Sequence, residues 1–189
     1  TDKTKEILKT KKNEKNFFLF QDDISNLPYR GQRLEKARNL IIETIKQSSN
    51  LINCDLFIML DLDDMGTYRI NENDILNSIN FLFSKEEIAG VFANQLGTYY
   101  DMWTLRDNKY CPNDFWAEVL QFLIKNKNAD EKISKDNFDE AKKKMIDKKT
   151  YTFKKDHAPI LVKSAFGGFG IYKMKYAIKN DRKYEGTQI

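Results

Sequence analysis

Three carboxylates, Asp61, Asp63 and Asp64, stand within four residues at the end of the apolar run Leu56–Leu60. A run this apolar predicts a strand buried on both faces of a parallel sheet, and ligands of such sheets bind outside the carboxyl ends of the strands. Clustered carboxylates suit Mg²⁺ or Mn²⁺, which prefers oxygen ligands and shares its shell with substrate phosphates. The pattern indicates a metal site, although solvated acids at a strand-to-turn junction would have the same sequence.

The helix predicted at about 32–46 carries an arginine on its apolar side. Apolar residues recur on this helix at helical spacing: Leu34, Ile41 and Ile45. Arg38 falls within the same stripe, where a guanidinium needs an anion, either a nearby strand-end carboxylate or a bound phosphate. The alternative is that Arg38 reaches water at the helix edge. Arg33, near the helix start, is placed to reach a diphosphate, and a surface role is equally compatible with its position.

Aromatic residues are dense in the segment 99–106, which also contains one acid and one arginine. Tyr100 and Trp103 are candidates for stacking on sugar rings, while Asp101 and Arg106 are candidates for binding sugar hydroxyls. Core packing explains Tyr100 equally well. The aromatic neighbours of Asp101 predict partial desolvation, which suits this acid to proton transfer.

Glycine is concentrated between two apolar segments near the end of the chain, at positions 167, 168 and 170. Gly167 and Gly168 would allow positive φ angles and a close approach of the backbone to a ligand. The segment is not a P-loop, since no Gly-Lys-Ser/Thr follows, and it lacks the full Rossmann spacing. A purely structural hairpin is the alternative.

Length and composition limit the classes of function. The 189 residues are 41% hydrophobic, which fits one globular domain, and no stretch of 18 apolar residues predicts a membrane-spanning helix. The net charge of +4 comes from 32 basic and 28 acidic residues, so no nucleic-acid partner is expected. Two cysteines and one histidine exclude a disulfide framework and a histidine-rich zinc site, which favours a reducing compartment and a cytoplasmic location.

Hydrophobic periodicity predicts alternating helices and strands. The predicted elements are a helix at 4–12, a strand at 16–20, a helix at 32–46, a strand at 54–60, a helix at 73–83, a strand at 88–92, and a strand, glycine turn and strand within 158–172. This succession predicts an α/β fold with a mostly parallel central sheet flanked by helices. The polar, lysine-rich stretch 125–156 is predicted to be an exposed helical insertion, with a mobile lid as one interpretation.

Four segments taken in order, 33–39, 57–64, 93–103 and 166–172, resemble a glycosyltransferase of the GT-A class. The nearest resemblance is to nucleotide-sugar-dependent transferases of large DNA viruses and microbes, which would place a viral protein in the host cytoplasm. The resemblance implies a Rossmann-like fold in a single domain, with a nucleotide-binding half at 1–92 and an acceptor half at 93–189. The first strand and the C-terminal histidine typical of the class are not visible, so the sequence predicts a chain truncated at its ends.

The resemblance also implies roles for particular residues. The donor, a UDP- or GDP-linked sugar, would contact Arg33, Arg38, Asn39, Asp61 and Asp63. Mn²⁺ or Mg²⁺ would bind Asp61, Asp63 and Asp64. A glycan or protein acceptor would contact Tyr100, Trp103, Arg106, Gly167 and Gly168. Asp101 would be the catalytic base if this hexosyltransferase inverts the anomeric configuration, and the resemblance leaves inversion and retention both open.

Two other classes of function remain open from the sequence. A nucleotidyltransferase can also place metal-binding carboxylates at a strand end. A carbohydrate-binding fragment could keep the fold without turnover. Release of a nucleoside diphosphate rather than pyrophosphate would distinguish a glycosyltransferase from a nucleotidyltransferase. Metal-dependent hydrolysis of a nucleotide sugar would distinguish a glycosyltransferase from a carbohydrate-binding fragment.

Overall fold

A computed structural model describes residues 3–61, 71–95, 97–99, 101–126, 134–147, 150–154, 156–178 and 183–185. The helices are α1 (Thr4–Thr10), α2 (Arg30–Gln47), α3 (Glu72–Ser84), α4 (Phe115–Lys125), α5 (Lys135–Met145) and α6 (Met174–Ala177), and the strands are β1 (Leu56–Leu60), β2 (Gly90–Phe92) and β3 (Phe169–Lys173). The chain forms two compact units, Thr1–Ile52 with Asn180–Ile189, and Asn53–Lys179. No helix in the described ranges is long and apolar enough to cross a membrane.

The first unit is built on α2, whose apolar spacing buries Ile42 and Ile45. The short segment 183–185 is bound to this helix by the side chain of Asn39. The Asn39 Nδ2 donates to the Tyr184 carbonyl at 3.0 Å, and the Asn39 Oδ1 accepts from the Tyr184 N–H at 2.7 Å. One side-chain amide thus satisfies both backbone groups of a residue 145 positions away.

The strand predicted at 16–20 is wrong. Residues 17–20 are irregular, and the side chains of Phe18 and Phe20 are 61% and 48% exposed. Asn16 has a φ of 65°, which is incompatible with an extended strand. An apolar run forms a strand only where backbone partners exist, and none of the pairs in the described sheet involves this segment.

The second unit contains a three-stranded sheet of order β1-β3-β2. Both β1 and β2 pair antiparallel with β3, with Ile58 and Val91 each opposite Ile171. The expected parallel sheet is therefore not what the described strands form. β1 and β2 do run in the same direction, but β3 from the end of the chain lies between them. The fold class is mixed α/β.

The sheet does not bury β1 on both faces as predicted. Phe57 and Met59 are buried while Ile58 is 40% exposed, the alternation of a strand at the edge of an antiparallel sheet. Phe57 stacks on Tyr172, which also meets the edge of Phe92 at 5.3 Å. Cross-strand aromatic contacts of this kind hold the three strands in register.

A buried lysine joins the last strand to the end of α3. Lys173 is 5% exposed, and its ammonium donates to the carbonyls of Lys85 and Glu86. These carbonyls follow the last turn of α3, where the helix dipole favours a cation. Lys175 adds an exposed ion pair with Glu86 at 2.7 Å.

The main apolar core of the second unit lies around α4 and α5. Its buried members are Tyr99, Met102, Leu105, Cys111, Phe115, Val119, Leu123, Ala141 and Ile146. Sequence periodicity did not predict α4, although Asp114 caps its N-terminus by accepting from the Trp116 and Ala117 N–H groups. The lysine-rich stretch contains α5, as expected, but Ala141 and Ile146 anchor this helix in the core.

The pair of strands predicted in 158–172 is half correct. β3 forms after the glycines, whereas the segment before them is irregular and makes one isolated bridge, between Arg106 and Ser164. The Arg106 N–H donates to the Ser164 carbonyl at 2.9 Å. The glycine segment is thus joined to the aromatic segment rather than folded back on its own preceding residues.

Candidate functional site

The glycine turn meets the carboxyl ends of both outer strands. The Asp61 N–H, immediately after β1, donates to the Gly168 carbonyl at 2.9 Å. The Ala93 N–H, immediately after β2, donates to the Phe169 carbonyl at 3.0 Å. Asp61, Ala93 and the turn therefore lie together where β1 and β2 reach their carboxyl ends, a place here called the sheet edge.

Only glycine fits the first position of this turn. Gly167 and Gly168 have φ angles of 63° and 81°, in the region that side chains disfavour. A Cβ on Gly167 would lie 2.5 Å from the Ala93 carbonyl oxygen and 3.4 Å from the Tyr99 ring. The positive φ angles are as predicted, and the close neighbours of Gly167 are protein groups, the Ala93 carbonyl and the Tyr99 ring.

Asp101 is held against the glycine turn. Its Oδ2 accepts from the Gly167 N–H at 3.0 Å and from the Thr104 hydroxyl at 2.6 Å. The Thr104 carbonyl in turn accepts from the Ser164 hydroxyl at 2.7 Å. The half-buried carboxylate thus has a fixed position and links segments 66 residues apart in the sequence.

The proposed metal ligands are only partly within the described residues. Asp61 is half-buried at the sheet edge, whereas Asp63 and Asp64 lie outside the described residues. The described ranges contain no group of three or more His, Cys, Asp or Glu side chains that could hold a metal. Carboxylate oxygens are suitable ligands for a hard cation such as Mg²⁺ or Mn²⁺. Asp61 alone is insufficient to bind one, so the proposed metal site depends on Asp63 and Asp64.

Two of the predicted donor-binding residues of the first unit, Arg38 and Asn39, make contacts with Tyr184. Both polar atoms of the Asn39 side chain are bonded to Tyr184, and the Arg38 guanidinium lies 5.5 Å from the centroid of the Tyr184 ring. Arg33 is exposed. Of the described donor-binding residues predicted from sequence, these three belong to the first unit and Asp61 to the second.

The predicted acceptor-binding residues differ in their accessibility. Trp103 is 42% exposed and packs against Trp116 with ring centroids 5.6 Å apart. Arg106 forms an ion pair with Asp114 at 2.7 Å and donates to the Trp103 carbonyl at 3.1 Å. Arg106 therefore ties the aromatic segment to the start of α4, and Trp103 is the more available contact. Tyr100 lies outside the described residues.

Sequence reasoning missed two features near this edge. Thr104, which fixes Asp101, has no distinguishing signal in the sequence. Tyr151 and Phe153 pack on Tyr110 with centroids 4.6 and 5.1 Å away. Their spacing of two residues is the signal that could have placed both rings on one side of an extended segment.

The buried cysteine, Cys111, lies in an environment that disfavours reactivity. Burial raises the pKa of the Cys111 thiol, and this effect outweighs the opposing influence of Arg106. A raised pKa reduces the thiolate fraction, which is the nucleophilic form. Cys54 is exposed and Cys111 is buried in the core, so neither is assigned to the site.

Comparison with protein-family models, with curated proteins and with solved structures finds no match to this chain. A class of function therefore has to be inferred from the residues at the sheet edge. Those residues are Asp61, the glycine turn and Asp101, joined through backbone and side-chain hydrogen bonds.

Proposed function

We propose that the protein is a metal-dependent glycosyltransferase that moves a sugar from a nucleotide-sugar donor to a hydroxyl acceptor. The supporting observation is that two sequence motifs, those of Asp61 and Asp101, are hydrogen-bonded to the turn formed by a third, the glycine motif. Gly168 accepts from the Asp61 N–H, and Gly167 donates to Asp101. Asp61, the glycine turn and Asp101 thus lie at the same edge of the sheet. This proximity supports assigning the metal and proton-transfer roles to these acids, because group transfer needs its participants close together.

The metal role is assigned to the acids that end β1. Asp61, Asp63 and Asp64 would hold Mn²⁺ or Mg²⁺, the cations that carboxylates favour. When bound, the cation would neutralise the charge that develops on the departing nucleoside diphosphate. The finer fold assignment, a Rossmann-like GT-A domain with halves at 1–92 and 93–189, is part of this proposal.

Asp101 is assigned the role of base in an inverting reaction. The hydrogen bonds that described residues make to its carboxylate both reach Oδ2. Oδ1 is then the atom that would accept the proton of an acceptor hydroxyl. Fixing the base in this way lowers the entropic cost of bringing it to the reacting oxygen.

The first test is binding of nucleotides by the full chain. Thermal shift and calorimetry with UDP, GDP, UDP-glucose, UDP-N-acetylglucosamine and GDP-mannose are compared with and without Mn²⁺. We expect Mn²⁺-dependent binding of one nucleotide, lost in Asp63→Ala. Asp55→Ala is the matched control, because Asp55 is an exposed acid that precedes the same strand.

Product analysis separates the classes of enzyme. A glycosyltransferase slowly hydrolysing its donor releases a nucleoside diphosphate and free sugar. Release of pyrophosphate from a nucleoside triphosphate would instead favour a nucleotidyltransferase. Well-folded protein that binds none of these nucleotides in the presence of Mn²⁺ would count against the proposed function.

A further inference from the structure

We draw no further inference here: the strongest candidate, the outer edge of β1 in the three-stranded sheet, where Ile58 is 40% exposed and the described strand pairing lies on the side of β3, carries nothing because nothing in the structure shows what covers it.

Discussion

At the scale of single residues, Asp101 combines a structural role with the proposed chemical one. Its Oδ2 is the acceptor for both the Gly167 N–H and the Thr104 hydroxyl. Any loss of activity in a substituted protein could therefore follow from a displaced turn as well as from a missing base. Two substitutions of different shape separate these causes.

Asp101→Ala should lower the free energy of unfolding by about 2 kcal/mol, because the Gly167 N–H and the Thr104 hydroxyl lose their acceptor. Asp101→Asn keeps an acceptor oxygen of the same shape and should cost about 1 kcal/mol or less. If Asp101 is the base, both variants should lose transferase activity. Urea denaturation measures the stabilities, and nucleotide-sugar turnover with an acceptor measures the activities.

Thr104→Val is the control for this comparison, since it removes one hydrogen bond to Oδ2 and leaves the carboxylate in place. It should keep measurable activity. An Asp101→Asn protein with wild-type turnover would contradict the assignment of Asp101 as base. Equal stability of Asp101→Ala and wild type would contradict the structural role.

At the scale of secondary-structure elements, the turn before β3 depends on the absence of a side chain at Gly167. Gly167→Ala should cost about 1–2 kcal/mol for its positive φ and a further 1–3 kcal/mol for the contact with the Ala93 carbonyl. Gly97→Ala is the matched control, because Gly97 has a φ of 92° but no atom within 4 Å of an added Cβ. Urea denaturation measures the free energy of unfolding of both variants, and the difference between them is the cost of the contact with the Ala93 carbonyl. Equal destabilisation of the two variants would contradict this cost.

The end of α3 offers a second comparison at this scale. Lys173→Met should lower the free energy of unfolding by about 1–3 kcal/mol, since it leaves two carbonyls without their buried donor. Lys175→Met, at an exposed lysine bound to the same residue Glu86, should have a much smaller effect. Chemical denaturation of the two variants measures the difference, and a larger effect at Lys175 would contradict this account.

The exposed ion pair of Lys175 and Glu86 also predicts a weak dependence of the free energy of unfolding on pH. The hydrogen bond from Lys175 is the main cause of the lowered pKa of Glu86. The ionised Glu86 therefore stabilises the folded protein above pH 4.5, and this stabilisation is lost as the pH falls through the lowered pKa. The pKa of Lys175 is raised, chiefly by Glu86, and its stabilisation is lost as the pH rises through that value. Lys175→Met should abolish the Lys175 dependence and reduce the Glu86 dependence, because the charge of Lys173 still lowers the pKa of Glu86; urea denaturation at several pH values measures both.

Local patterns predicted the helices better than the sheet. The apolar spacing of α2 and α3 is a property of consecutive residues, so both helices were predicted within a few positions of their observed ends. The direction of the sheet depends on β3, which pairs with β1 across more than 100 residues and is invisible to local periodicity. The same limit applies to the site, because the Gly167 and Asp101 motifs were recognised separately and their contact emerges only in the fold.

At the scale of the whole molecule, burial is unevenly distributed. No residue of α1 is buried, whereas α4 buries Phe115, Val119 and Leu123. The core around α4 also contains Met102 and Leu105, which lie one and four residues after Asp101. The proposed base is thus adjacent in sequence to residues of the buried apolar core.

Native-state hydrogen exchange should reproduce this distribution. Amides of α1 should exchange on the order of 100-fold or more faster than those of α4, after correction for intrinsic rates, because no residue of α1 is buried in a core. Amides at Met102–Leu105 that are hydrogen-bonded, such as the Leu105 N–H to the Asp101 carbonyl at 3.2 Å, should resemble α4 in protection. Mass spectrometry of peptides from these regions measures the rates. Protection of the Asp101 segment as low as that of α1 would mean that the proposed base is not held in place, which would remove a main support for its catalytic role.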